Sequence, residues 1–201
     1  MLPIYMRGNK KQRIIRILLN RKSLTKYRLA KLAETSFPWT HEFLKQLENK
    51  KLIKGTEVIK PKELLYLWSK LRKKPIYREY MIREPLELLK ITQLKFALTT
   101  YLGENLTQSH LFPLRIDIYI QKQDLEKWHK MLSGKGFYGK GNFRILIDED
   151  EHVFDFTKKT GIGLSVVSMP QLIVDLIQEG GPCEEAAELL IKRYFENVQK
   201  L

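Results

Sequence analysis

The 201-residue chain is long enough for two domains, and its hydrophobic fraction of 43% is ordinary for a globular protein. No apolar run approaches the roughly 18 residues that a membrane-spanning helix needs, and we expect no secretory signal. The one cysteine, Cys183, cannot form an internal disulfide. We therefore expect a cytoplasmic protein that does not contact a membrane.

The net charge of +13 is concentrated in the N-terminal part of the chain. Residues 1–75 contain 20 Lys and Arg against 5 Asp and Glu, a net of +15. Residues 76–201 contain 16 against 18, a net of −2. A protein with a uniformly basic surface would be basic in both parts. The asymmetry therefore predicts a polyanion-binding domain over 1–75, joined to a nearly neutral domain over 76–201.

The first domain begins with two predicted amphipathic helices. One covers 9–20 and places its isoleucines and leucines on one face. The second starts after Ser23 or Thr25 and buries a side made of leucine and alanine. Alanine there lets the next helix approach closely, and 34–35 form the turn between the two helices.

The third helix is the predicted recognition helix of a helix-turn-helix. Ser36 is a suitable N-cap, and Pro38 fits the first turn, where a missing N–H costs nothing. In DNA-binding proteins of this kind, the start of the recognition helix meets base edges in the major groove. The candidate DNA-binding residues on this helix are Ser36, Pro38, Trp39, His41, Glu42, Lys45 and Asn49.

The polar candidates differ in what they can recognise. Lys45 can donate to guanine or to a phosphate, and His41 can donate to an acceptor edge of a base. Glu42 can accept from cytosine N4, or it can repel phosphate. Trp39 and Phe37 are open between packing and DNA contact, with packing favoured because it is the commoner role of a large aromatic side chain.

A short hairpin is predicted after the recognition helix. Residues 52–53 begin one strand, Gly55 permits the turn, and 58–59 return. This layout is that of a winged helix-turn-helix whose wing is a stub. The expected phosphate contacts, which fix the register on DNA without reading its sequence, are Lys51, Lys54 and Lys60.

A fourth helix is predicted over 62–72, with a broad apolar stripe that includes Trp68. Winged-helix regulators often use a helix in this position for dimerisation or for packing on the next domain. A homodimer through 62–72 is therefore a candidate assembly. The domain boundary is placed at 73–80, where the charge density falls and Pro75 stops the helix.

The second domain is predicted to mix helices and strands, so the whole chain is α+β with an α/β second domain. Residues 134–141, with four glycines, are interpreted as a flexible connection. The predicted strands cover 114–120, 143–147, 153–156 and 164–167. The predicted helices cover 85–89, 91–102, a segment capped by Asp124, 169–178 and 182–198.

Strand 114–120 invites comparison with nucleotidyltransferases. Those enzymes carry two carboxylates at alternate positions of one strand, where both hold Mg²⁺ on the nucleotide phosphates. Here Asp117 takes the first position, but Tyr119 takes the second, and Asp155 does not restore the pair. A degenerate nucleotidyltransferase-like domain would have lost the chemistry. We predict that the chain is not an enzyme, with no catalytic residue, no metal ligand and no cofactor.

One run in the second domain is distinctive. It reads Val167-Ser-Met-Pro-Gln-Leu-Ile-Val-Asp-Leu-Ile-Gln-Glu-Gly-Gly181. This run resembles the Val-Ser-x-Pro-Gln-Leu, Asp-Leu and Gly-Gly pattern of the AbiEi-type antitoxins of type IV toxin–antitoxin systems, whose N-terminal domain is a winged helix. The resemblance covers most of 10–195. It implies an autorepressor whose second domain counteracts a partner nucleotidyltransferase toxin.

The expected function is therefore that of a sequence-specific DNA-binding transcriptional regulator, an antitoxin-type repressor. Its expected partners are double-stranded DNA of its own promoter and a nucleotidyltransferase toxin. One alternative is a nucleotidyltransferase-like enzyme that docks on DNA through its winged helix and binds Mg²⁺ with a nucleoside triphosphate near Asp117. The other is a non-specific architectural DNA-binding protein, which would show no operator preference.

Overall fold

A computed structural model describes residues 6–196 and shows a mixed α+β protein. The chain divides into two compact units, 6–73 together with 188–196, and 74–187. The sequence placed all of 76–201 in one domain, whereas 188–196 group with the first unit. Within 6–196, no helix is both long and apolar enough to cross a membrane.

Residues 6–73 form four helices and one hairpin. The two-residue strands of the hairpin pair antiparallel, with Ile53 opposite Val58. The predicted helices and the predicted hairpin are all present, with ends within a few residues of those expected. The elements are α1 (Met6–Asn20), α2 (Lys26–Leu32), α3 (Phe37–Asn49), β1 (Ile53–Lys54), β2 (Glu57–Val58) and α4 (Pro61–Leu71).

Side-chain and backbone chemistry determines where α2 and α3 begin. Thr25 Oγ1 accepts a hydrogen bond from Arg28 N at 3.1 Å and so caps α2. Ser36 has the extended backbone of an N-cap residue, and Pro38 lies in the first turn of α3. Glu34, with a φ of 54°, makes the tight turn between the two helices.

The core of the first unit lies between the apolar faces of these helices. Arg16 is also buried there, with its guanidinium carbon 5.2 Å from the ring centroid of Trp68, a cation–π arrangement. Glu188, in the last helix, accepts hydrogen bonds from Lys62 Nζ and from the Tyr66 hydroxyl, both at 2.6 Å. Core side chains include Ile14, Ile15, Leu18, Leu29, Ala30, Leu44, Leu47, Leu64 and Trp68.

Residues 74–187 are built around a seven-stranded mixed sheet with the strand order β6-β3-β7-β5-β4-β9-β8. The β5–β7 and β4–β9 pairs are parallel, and the other four pairs are antiparallel. The strands are β3 (Ile76–Ile82), β4 (Phe96–Thr99), β5 (Ile116–Ile120), β6 (Gly136–Tyr138), β7 (Phe143–Ile147), β8 (Lys158–Lys159) and β9 (Ser165–Val166).

Helices cover both faces of this sheet. Phe96 and Thr99 lie three positions apart on β4 and so point to opposite faces. The Phe96 ring packs edge-on against Trp128 of the helix Leu125–Ser133, while Thr99 hydrogen-bonds to Asp175 of the helix Met169–Glu179. The helices are α5 (Pro85–Ile91), α6 (Thr100–Gln108), α7 (Leu125–Ser133), α8 (Met169–Glu179) and α9 (Pro182–Ile191), which is followed by a π-helical turn, Lys192–Glu196.

Two of the sequence predictions are wrong where short apolar segments were assigned. The predicted helix over 91–102 is replaced by β4 followed by α6, because a short buried apolar run fits either element. The predicted strand over 153–156 is a 3₁₀ turn, Glu151–Phe154. The two units divide between 73 and 74, within the segment 73–80 assigned to the domain boundary, and strand β3 begins at Ile76. Of the predicted last helix, 197–198 lie outside the described residues.

The glycine-rich segment 134–141 is not the flexible connection that the sequence predicted, because it contains edge strand β6. A Cβ on Gly136 would lie 2.1 Å from Met81 O, and a Cβ on Gly141 would lie 2.2 Å from Tyr80 O. These two glycines therefore allow close contact with β3.

Candidate nucleic-acid interface

The outward face of α3 carries most of the predicted DNA-binding residues. Their side chains recur at intervals of three or four positions, so they line one face of the helix. Helical spacing in the sequence places Phe43, Leu44 and Leu47 on the opposite face, and all three are buried. The exposed residues are Ser36, Pro38, His41, Glu42, Lys45 and Asn49.

The hairpin is held at a defined place beside α3. Glu48 Oε1 accepts a hydrogen bond from Gly55 N at 2.7 Å, which joins the helix to the hairpin turn. The Thr56 hydroxyl donates to Leu24 O at 2.5 Å and joins the same turn to the segment before α2. The three predicted phosphate-contacting residues, all exposed, are Lys51, Lys54 and Lys60.

Trp39 has a packing role. Its ring stacks on Phe43 at 5.7 Å between centroids with an interplanar angle of 25°. Lys10 Nζ lies 5.9 Å from the Trp39 ring centroid, and Lys11 Nζ lies 5.7 Å from that of Phe43. These contacts join α1 to α3, and they place two partly exposed ammonium groups next to the start of α3.

Phe37 differs from Trp39, although the sequence treated the two alike. Its side chain is 45% exposed, and its ring stacks on His41 with centroids 6.1 Å apart and planes 16° apart. Phe37, His41 and Lys45 are spaced four residues apart, so they form one outward stripe. This spacing was available in the sequence. Phe37 therefore joins the candidate interface.

In the second unit, Asp117 is fully buried and accepts hydrogen bonds from two arginines. Arg115 Nε and Nη2 lie 2.6 and 3.0 Å from its two oxygens, and Arg144 Nε and Nη2 lie 2.9 and 3.1 Å away. The Thr100 hydroxyl also donates to this carboxylate. Both oxygens of the carboxylate that a nucleotidyltransferase would use to bind Mg²⁺ are therefore hydrogen-bonded to guanidinium groups.

Glu179 completes this charge cluster. It accepts hydrogen bonds from Arg115 Nη2 at 2.6 Å and from Arg144 Nη2 at 2.7 Å. Burial acts against the charge of Glu179, but the hydrogen bonds from Arg144 and Arg115 lower the pKa of its carboxyl below the usual value. Two carboxylates and two guanidiniums thus neutralise one another beneath α8.

Tyr119, at the second carboxylate position, donates its hydroxyl hydrogen bond to Asp175 Oδ1 at 3.0 Å. Thr99 and Gln171 donate to the same carboxylate at 2.5 and 2.8 Å. A cleft of about 290 Å³ opens beside these groups. Among its lining residues are Tyr77, Thr100, Tyr119, Arg144, Asp175 and Glu179.

The described side chains contain no group of three or more His, Cys, Asp or Glu that could hold a metal ion. Asp155, the third strand carboxylate considered from the sequence, lies just after a 3₁₀ turn and hydrogen-bonds to His152 at 2.6 Å. Its carboxylate therefore already has a partner close by in sequence.

Comparison with known proteins identifies no relative. No protein-family model matches the chain, and neither does any curated protein or solved structure. The interpretation of the α3 surface and of the Asp117 cluster therefore depends on their geometry and chemistry.

Proposed function

We propose that this protein is a sequence-specific DNA-binding transcriptional regulator whose first unit is a winged helix-turn-helix. The observation that carries the proposal is the outward face of α3, where exposed polar side chains stand away from a buried apolar face. Exposed lysines in and beside the adjoining hairpin suit phosphate contacts. The net charge of +15 over 1–75 favours a polyanion as the partner.

We further propose that the protein is an antitoxin-type autorepressor of the AbiEi kind. The run that resembles that family supplies Gln171, Asp175 and Glu179, which all belong to the hydrogen-bond networks around Tyr119 and Asp117. With Asp117 paired to two arginines, a binding role for this unit is better supported than nucleotide transfer. The proposed protein partner is a nucleotidyltransferase toxin.

A homodimer through α4 is the proposed assembly on DNA. Leu67 and Leu71 of this helix are partly exposed, whereas Lys62 and Tyr66 are engaged by Glu188 within the same unit. A two-fold arrangement would present two copies of α3 to successive major grooves.

Titration of the protein with fluorescent duplexes at several salt concentrations tests the regulator proposal. One duplex carries the DNA upstream of its own gene, and the other is random in sequence. We expect tighter binding to the upstream duplex at every salt concentration. The double variant Lys45→Glu with Lys54→Glu should bind at least about tenfold more weakly, because two attractive charges become repulsive. The slope of log affinity against log salt concentration should become shallower by about one for each phosphate that the variant no longer neutralises.

The matched control reverses two exposed lysines of the second unit, Lys135→Glu with Lys140→Glu. This variant has the same total charge but leaves the α3 surface intact, so its affinity should stay close to that of the unmodified protein. Equal affinity for the upstream and random duplexes at matched salt would contradict the regulator proposal and would favour an architectural DNA-binding protein.

A further inference from the structure

The outward stripe of α3 lacks the side chain that most often reads guanine. Arginine, bidentate to O6 and N7, is the commonest specific contact in the major groove. No residue of α3 is an arginine. The first exposed turn instead presents the apolar side chains of Phe37 and Pro38, and Lys45 is two turns further along.

The ring of Phe37 has a neighbour on its own helix. It is stacked nearly parallel on His41, with an interplanar angle of 16°, and 45% of the side chain is exposed. An aromatic side chain has few rotatable bonds, and one that stacks on a neighbour loses less conformational freedom on binding, which favours contact with a small apolar feature.

Other apolar groups near the start of α3 face inward. Thr40, whose methyl group could meet a base, is fully buried, and its hydroxyl hydrogen-bonds to Thr35 and to Ser36 O. Trp39 packs on Phe43 beneath Lys10. Phe37 is thus the aromatic side chain of α3 that is exposed at the end expected to enter the groove.

We propose that Phe37 reads thymine, by packing its ring against the C5-methyl group in the major groove. Among the four bases thymine alone presents a methyl group there, and phenylalanine is one of the side chains that contacts it. This inference rests on the proposed DNA-binding function and adds a base preference to it. The operator should then contain a thymine next to the start of α3, in each half-site if the protein binds as a dimer.

The experiment uses the full chain and duplexes selected by it from a random-sequence library. Each thymine of the selected site is replaced in turn by deoxyuridine, which lacks only the methyl group. We expect one position per half-site to lose about fourfold in affinity, the size expected for one buried methyl-sized apolar group. In the variant Phe37→Ala, deoxyuridine at that position should change the affinity by less than about twofold, the margin within which independent effects add.

Two further variants separate methyl contact from other effects. Phe37→Leu keeps an apolar side chain and should retain part of the deoxyuridine effect. Lys45→Ala should bind all duplexes more weakly but keep the full effect, since it leaves Phe37 in place. Because Phe37 lies outside the core and is 45% exposed, Phe37→Ala should show the far-UV circular dichroism of the unmodified protein.

The outcomes are distinguishable from failure of the regulator proposal. If selection enriches no sequence, both proposals fail. If a sequence is enriched but contains no thymine, only the thymine-reading role of Phe37 is overturned. The same conclusion follows if deoxyuridine changes the affinity of the unmodified protein and of Phe37→Ala by the same factor.

Discussion

Tyr119 and Asp117 point to the same face of β5, and each has a partner from a distant part of the chain. Tyr119 donates to Asp175, 56 residues later, while Asp117 accepts from Arg144, 27 residues later. The Tyr119 hydroxyl donates a hydrogen bond, whereas a carboxylate at the same position would accept one. The acceptor beside Tyr119 is Asp175, in α8. This exchange leaves β5 without the pair of carboxylates that nucleotide transfer requires.

Cys183 should be unreactive in the folded protein. The side chain is fully buried, and burial raises the pKa of the thiol to about 11. Since the thiolate is the reactive form, we expect iodoacetamide at about pH 8 to label the native protein at least about 100-fold more slowly than the chain in guanidinium chloride. Mass spectrometry over a time course measures both rates. Labelling at comparable rates would show that the start of α9 opens readily.

At the scale of elements, helix caps and a tight turn set where helices begin in the first unit. In the second unit, pairing of β6 with β3 requires two glycines where the strands approach closely. β6 pairs with β3 over three residues, with Gly136 opposite Ile82. The exposed Phe137 and Met81 form a cross-strand pair on the same small ribbon. Because β6 is at the sheet edge, β3 is its one neighbour among the described strands.

The substitution Gly136→Ala should loosen that edge. The added methyl group would meet Met81 O at 2.1 Å and Ile82 Cδ1 at 2.8 Å. We expect a loss of about 1–3 kcal/mol in the free energy of unfolding, as for other overpacked sites. Denaturant titration followed by circular dichroism measures it. Gly161→Ala is the control, since nothing lies within 4 Å of its Cβ position, and an equal loss there would contradict the steric explanation.

At the scale of the whole molecule, the two units use charge in different ways. The first leaves lysines exposed along α3 and the hairpin, so its charge is available to a polyanion. The second pairs its charges internally, with Asp117 and Glu179 against Arg115 and Arg144. Stability of the second unit should therefore depend on pH, whereas DNA affinity should depend on salt.

Acid should destabilise the second unit through Glu179. Its pKa is lowered in the folded state, so its contribution is present above the ordinary glutamate value of 4.5 and is lost as the pH falls through the lowered value. Glu179→Gln should lose about 1–2 kcal/mol at pH 7 and should show a flatter decline below pH 4.5. Unfolding by urea at a series of pH values measures this.

The matched variant for that experiment is Glu188→Gln. Glu188 also pairs with a lysine and a tyrosine, but its side chain is 41% exposed, so solvent screens the ion pair. We expect a loss below about 1 kcal/mol at pH 7. A larger loss in the free energy of unfolding for Glu188→Gln than for Glu179→Gln would contradict the explanation that burial strengthens the ion pairs of Glu179.

The sequence alone determined the features that depend on neighbouring residues. Thr25, Ser36 and Pro38 mark helix starts because capping involves only the next few residues, and helical spacing identified the buried face of α3. The charge asymmetry needed only a count. Only the tertiary structure showed that Phe37 is exposed while Trp39 packs, since α1 covers one ring and not the other. It also decided that β6 is a strand and that Arg144 bridges Asp117 and Glu179, because those contacts join segments far apart in the chain.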